Sequence, residues 1–326
     1  MLGTTLRTAL SLPRLVRRRA SVFVVDNSLR GLAYLGRLHP RARPHRHRVE
    51  VVRDVPYRRS GLPEHTLDIY RPIDRPGPLP VVLYVHGGGF RILSKDTHWL
   101  MGLAFARRGY LVFNINYRLA PRHRYPAGLQ DCCAAYAWLC RSAEALGGDL
   151  GRLVLAGESA GANLVTALAV AASYRRPEPF AQRVFDTGVR PAAVLAACGM
   201  LQASDAERFA RRRKLPDWVH TYLLHVSRTY LPPGEQGGLA DPLLVLERAE
   251  PPERPLPPFF VPVGTRDPLL DDTRRLKAAL DRLGTPCEAR YYPGEIHAFH
   301  ALVWRPAARR CWQDCYAFLD AHLGRG

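Results

Sequence analysis

Two short motifs and two isolated residues in this chain could together break an acyl bond. GESAG at 157–161 places Ser159 among small residues, directly after the apolar run Leu153, Val154, Leu155 and Ala156. A strained strand-to-helix turn would hold that hydroxyl exposed. The same residues also suit an ordinary tight turn, in which small side chains permit close packing. Ser159 alone is a weak nucleophile. It needs a base for its proton, an acid to orient the base, and N–H donors for the oxyanion. HGGGF at 86–90 can supply donors, because glycine lets the backbone approach a developing negative charge closely. Gly87 and Gly88 are the candidate donors, with the N–H of Ala160 as a third. His86, Gly89 and Glu158 complete the two motifs as supporting residues.

The acid and base must come from elsewhere. FFVPVGTRD reads as a buried strand ending in a turn, which puts Asp267 at the edge of a sheet. Asp271 and Asp272 are the alternatives, but two acids ahead of TRRLKAAL fit helix capping better. His297 follows YYPGEI at the end of the last strand, and His300 reads as part of the segment after it.

These residues need a frame. VEVVRDVPYR and HTLDIYRP alternate apolar and polar residues, as half-buried strands do. VVLYVHGGGF, YLVFNINYR, LVLA, AAVLAACGM and FFVPVG are short apolar runs of the kind that central strands show. HWLMGLAFARRGY, GLQDCCAAYAWLCRSAEAL (with Asp131 in its first turns), ANLVTALAVAAS, DDTRRLKAALDRLG and ARRCWQDCYAFLDAHL carry helical spacing. Strands alternating with helices predict an α/β fold with a mostly parallel sheet covered on both faces. Ligands in such sheets bind beyond the carboxyl ends of the strands. HGGG, GESAG, GTRD and GEIH each follow a strand, so they should converge. Residues 1–48 read as a basic helical segment and 49–326 as the catalytic domain. Residues 201–250, helical without strand patterning, read as an inserted cap left through PPERPLPP.

The formal charge is +18, which raises the question of nucleic acid. Residues 1–59 hold fourteen Arg against Asp26, Glu50 and Asp54, which is +11 of that total. Lys95, Lys214 and Lys277 are the only lysines, so the bias runs toward Arg along the whole chain. No helix-turn-helix, RNA-recognition or zinc-finger pattern accompanies it, and nucleic acid is not expected as a partner. The seven cysteines include no CxxC pair, which suits a reduced, cytoplasmic protein with buried thiols and no metal. No apolar stretch approaches eighteen residues, and RLVRRRA stands where a signal cleavage site would be. The Arg-rich start fits a packed surface helix, with peripheral membrane contact as the competing reading.

VVLYVHGGGF, NYRLAPRHRYPAGLQD, LAGESAGANL, GTRDPLLDD and YPGEIHAF together resemble the hormone-sensitive lipase family of α/β-hydrolases, which includes many bacterial carboxylesterases. The resemblance runs from about residue 64 to the C-terminus. It implies an α/β-hydrolase fold with a helical cap made by the N-terminal segment and the insertion, about 1–48 and 201–250, a triad of Ser159, Asp267 and His297 in the family's chain order, and an oxyanion hole on Gly87, Gly88 and Ala160. It departs from the usual pattern at Glu158 (more often Asp), Ala162 (Gly), Asn116 (Asp) and Arg122 (Glu). These changes bear on cap contacts and substrate preference.

The implied activity is hydrolysis of short- to medium-chain carboxylic esters through an acyl-enzyme, with no cofactor. An amidase or arylacetamide deacetylase uses the same triad, and a membrane-associated lipase would use the basic N-terminus. A non-catalytic binder on this fold typically lacks the histidine. The expected partner is a small-molecule or lipid ester, and the residues leave homodimerisation open.

Overall fold

The computed structural model describes residue 31 and residues 33–235 and 237–324. Its frame is one eight-stranded sheet. The strands are β1 (Val49–Pro56), β2 (Thr66–Pro72), β3 (Leu79–Val85), β4 (Leu111–Ile115), β5 (Gly148–Glu158), β6 (Ala193–Ala197), β7 (Phe259–Gly264) and β8 (Cys287–Tyr292). Their order is β1-β2-β4-β3-β5-β6-β7-β8. β1 and β2 pair antiparallel, as do β2 and β4, and every other pairing is parallel.

The sequence pattern explains the order. β3, β4, β6 and β7 are buried at every position, as strands covered on both faces must be. β1 has only Val49 buried and lies at the edge. The buried side chains alternate between two cores. Val81, Leu83 and Val85 face α2 (Ala127–Ser142), α3 (Ala160–Ser173) and α8 (Leu270–Arg282). Val82 and Tyr84 face α1 (Trp99–Arg107) and α9 (Pro306–His322).

Proline shapes the edge that matters. β6 and β7 pair at Val194–Phe259 and Leu195–Phe260, and the ladder goes no further. The carbonyl of Pro262 accepts the N–H of Cys198, so Pro262 turns its backbone toward β6, where it has no N–H to return. On its other side β6 pairs with β5 through Glu158–Ala197, and the Ala197 carbonyl continues that pairing by accepting the N–H of Ser159 at 2.9 Å.

Between β6 and β7 lie α5 (Arg208–Arg212), α6 (Asp217–Tyr230) and α7 (Pro242–Arg248), with α4 (Pro179–Phe185) earlier in the chain. Leu243 and Leu246 of α7 share one buried core cluster with Leu223, Val226 and Tyr230 of α6, and Val226 and Tyr222 also stand over Gly89. Most of the basic N-terminal segment lies outside the described residues. Its end is helical over 33–38 and docks on the main body, with Trp99 Nε1 donating to Ala33 O at 3.0 Å. No helix among the described residues is long and apolar enough to cross a membrane.

Candidate active site

Ser159 sits between the end of β5 and the start of α3 with φ 55° and ψ −115°. A non-glycine residue holds that conformation only under constraint from its surroundings. Here the constraint is close packing of the turn. A Cβ on Gly161 would stand 2.1 Å from Val85 O, and one on Gly157 would stand 2.7 Å from the Gly161 backbone. The hydroxyl is thereby presented at the sheet's carboxyl edge.

His297 Nε2 lies 3.0 Å from Ser159 Oγ, and His297 Nδ1 lies 2.8 Å from Asp267 Oδ2. Asp267 is fully buried, and its Oδ1 accepts the N–H of Leu269 at 2.8 Å. Burial works against the charged imidazole. The Asp267 carboxylate outweighs it and holds His297 well above the ordinary histidine value. Cys198 is close to both, and ligand atoms of Cys198, Asp267 and His297 lie within 4.8 Å of one another. Burial pushes the Cys198 thiol up, so at neutral pH it stays uncharged and Asp267 remains the source of the shift.

The other sequence candidates fall elsewhere. Asp271 and Asp272 lie inside the first turn of α8, whose N-cap is Leu269, so neither caps it. Asp272 is instead a buried anchor. It accepts the N–H groups of Leu201 (2.8 Å) and Gln202 (3.3 Å) and holds Arg208 Nη2 at 2.6 Å. His300 is buried, which lowers its pKa to about 4, and its carbonyl accepts Trp312 Nε1 at 3.1 Å.

The glycine-rich loop brings a correction. Gly87 was expected to donate to an oxyanion, yet its N–H donates to Glu158 Oε1 at 2.7 Å and is not free. The N–H groups of Gly88 and Gly89 have no acceptor among the described residues. Both glycines have positive φ (104° and 59°), and a Cβ on Gly88 would stand 2.2 Å from Ile92 O. Ala160 N–H opens α3, where no intrahelical acceptor exists. The donor set that remains is Gly88, Gly89 and Ala160. His86 supports the loop from behind. Its ring stacks on Tyr117 at 4.3 Å, and its carbonyl accepts the Tyr117 hydroxyl at 2.9 Å.

Glu158 has a larger part than its motif position suggested. Besides Gly87, it meets His98 Nε2 at 2.7 Å and receives the Tyr84 hydroxyl. Burial lifts its carboxyl to about 7, against the Gly87 N–H and the nearby His297. Burial also brings His98 down to about 4, while His98 Nδ1 lies 3.1 Å from Ser94 O. With Nδ1 donating to that carbonyl, Nε2 is an acceptor for a proton on Glu158. His98 and Tyr84 carry no motif signal. Only the fold brings them to Glu158.

Residues 82–301 match the model of a family described as having the alpha/beta hydrolase fold. The chain is 32% identical over 261 residues to the carboxylesterase NlhH of Mycobacterium tuberculosis, covering 76% of each protein. It is 31% identical to esterase LipI of the same species, covering 68% of this chain and 65% of LipI. Among solved structures, esterase LipW of Mycobacterium marinum superposes with a TM-score of 0.72 at 26% identity, covering 93% of this chain and 90% of that one. The chain belongs to the α/β-hydrolase family and, within it, to the hormone-sensitive-lipase-like bacterial carboxylesterases.

Proposed function

We propose that this protein hydrolyses short- to medium-chain carboxylic esters by a serine acyl-enzyme mechanism. Hydrolysis of carboxylic esters follows from the family. The observation that supports the residue roles is the hydrogen-bonded chain from Ser159 Oγ through His297 to Asp267.

Ser159 Oγ attacks the ester carbonyl carbon while His297 Nε2 takes the hydroxyl proton. Asp267 orients the imidazole and stabilises its charged form. The carbonyl oxygen becomes an oxyanion and accepts hydrogen bonds from Gly88, Gly89 and Ala160. One such donor contributes about 3 kcal/mol to lowering a barrier of this kind. Collapse of the intermediate expels the alcohol, which leaves with the proton from His297. Water, deprotonated by His297, then attacks the acyl carbon, and Ser159 recovers its proton from the imidazolium.

Residues 201–230, with α5 and α6, act as the cap in this reading. Tyr222 and Val226 over Gly89 set a wall close to the reacting carbon, which favours short and medium acyl chains. The test is hydrolysis of p-nitrophenyl esters from C2 to C16 by the wild type and Ser159→Ala. The wild type should turn over the shorter members, and the variant should fall by about four to six orders of magnitude in kcat. A folded wild type inert to every ester but active on an anilide would move the reading to amide hydrolysis.

The +11 carried by residues 1–59 supports attraction to anionic surfaces, through which a lipid ester could be reached. Flotation with anionic vesicles should then succeed at low salt and fail at high salt.

A further inference from the structure

Arg91 follows the glycine-rich loop directly, and its backbone N–H closes a turn on Gly88 O at 3.1 Å. Its side chain is half-buried, and Nε is sealed from solvent with no hydrogen-bond partner. No acid pairs with it among the described residues. By contrast, Arg58 and Arg118 hold Asp131, Arg208 holds Asp272, and Arg275 holds Glu247. A cation partly withdrawn from water without an acid partner loses hydration that an arriving anion would replace. Burial lowers the Arg91 guanidinium from its ordinary value, and Tyr222 acts in the opposite direction.

Tyr222 locates this cation relative to the chemistry. Its hydroxyl is 3.2 Å from the space a Cβ on Gly89 would occupy. It interacts electrostatically with both His297 and Arg91. Arg91, two residues beyond Gly89, therefore belongs to the oxyanion-loop side of the site and shares Tyr222 as an electrostatic neighbour with His297.

We propose that Arg91 determines substrate preference by receiving a carboxylate carried on the ester, with the Tyr222 hydroxyl as a second donor. This rests on the esterase reading above. A guanidinium fork matches a carboxylate with two parallel N–H bonds, and partial burial strengthens them. A single guanidinium balances the charge of a carboxylate, whereas a phosphate dianion would call for a second cation. The net charge of +18 also attracts anionic substrates to the protein.

Two substrate pairs test it. On the acyl side, the mono-p-nitrophenyl ester of adipic acid is compared with p-nitrophenyl hexanoate. On the alcohol side, 4-butyryloxybenzoate is compared with its methyl ester. The readout is the kcat/KM ratio of anionic to neutral substrate within each protein. At least one pair should favour the anion in the wild type, and that preference should shrink with salt. The ratio should fall by roughly tenfold to a hundredfold in Arg91→Gln and recover in part in Arg91→Lys. If Arg91→Gln does not fold, Arg91→Lys and Tyr222→Phe carry the test, each with a ratio below wild type. A wild type that favours the neutral ester in both pairs, or variants with the wild-type ratio, overturns the proposal. Absence of hydrolysis on both members of both pairs would instead sink the esterase reading.

Discussion

A serine can surrender its proton only to an imidazole that has room for it, so the state of His297 governs the pH response. The Asp267 carboxylate holds His297 above the ordinary value of 6.5 despite burial. Below its pKa the ring is charged and cannot act as a base. Activity should therefore rise with pH, along an acid limb that lies above pH 6.5. Asp267→Asn should move that limb downward and lower kcat by about 10⁴. A kcat/KM profile of both proteins checks the pair, and an unmoved limb would remove Asp267 from the role.

Glu158 responds to pH in the opposite sense. Its folded value near 7 exceeds the ordinary 4.5, so the folded state binds the proton more tightly than the unfolded chain does. Its contribution to stability is full below about 4.5 and is lost as pH rises toward about 7. The loss is on the order of 3 kcal/mol. Glu158→Gln should flatten that share, read as a smaller difference in urea stability between pH 5 and pH 8. An undiminished difference would show that the proton sits elsewhere in the Glu158, His98 and Tyr84 group.

Among the elements, the β5–α3 turn and the α8 anchor make separable claims. Gly161→Ala places a methyl group where Val85 O already stands, so either the turn or β3 must shift. A loss of at least about 3 kcal/mol is expected, together with loss of activity, because the same turn aims Ser159. Asp272→Ala leaves Arg208 and two backbone N–H groups buried without their acceptor. It should cost about 3–5 kcal/mol in urea unfolding. Asp271→Ala, whose carboxylate is 3.8 Å from an exposed Arg212, should change stability by less than about 1 kcal/mol. Equal effects of the two would contradict the anchor. The two acids look alike in sequence because helical position is legible there, while the partners that bury one of them come from 64 to 71 residues away in the chain.

At the scale of the whole molecule, the strands, their parallel majority and the chemistry at their ends were legible because burial on two faces writes continuous apolar runs. Ser159 and Asp267 lie just past such runs, whereas His297 comes after the edge strand β8, in which only Tyr292 is buried. The partnering of backbone donors was not legible. HGGGF shows that three glycines can approach an oxyanion, but it does not show which N–H a neighbouring carboxylate has already taken. Nor did the spacing of residues 201–250 reveal that Val226 and Tyr222 of α6 stand over Gly89.

The amino-acid sequence by itself determined the class of fold, the chain order of Ser159, Asp267 and His297, and the need for glycine at the sharp turns. All of these depend on local periodicity and on what one backbone position tolerates. Only the tertiary structure decided that Gly87 serves Glu158, that His98 and Tyr84 share that carboxylate, that Asp272 anchors α5, and that Arg91 has no acid partner among the described residues. Those outcomes depend on pairings between distant segments. Hydrogen bonds and desolvation act over a few ångströms of space, and separation along the chain does not set that distance.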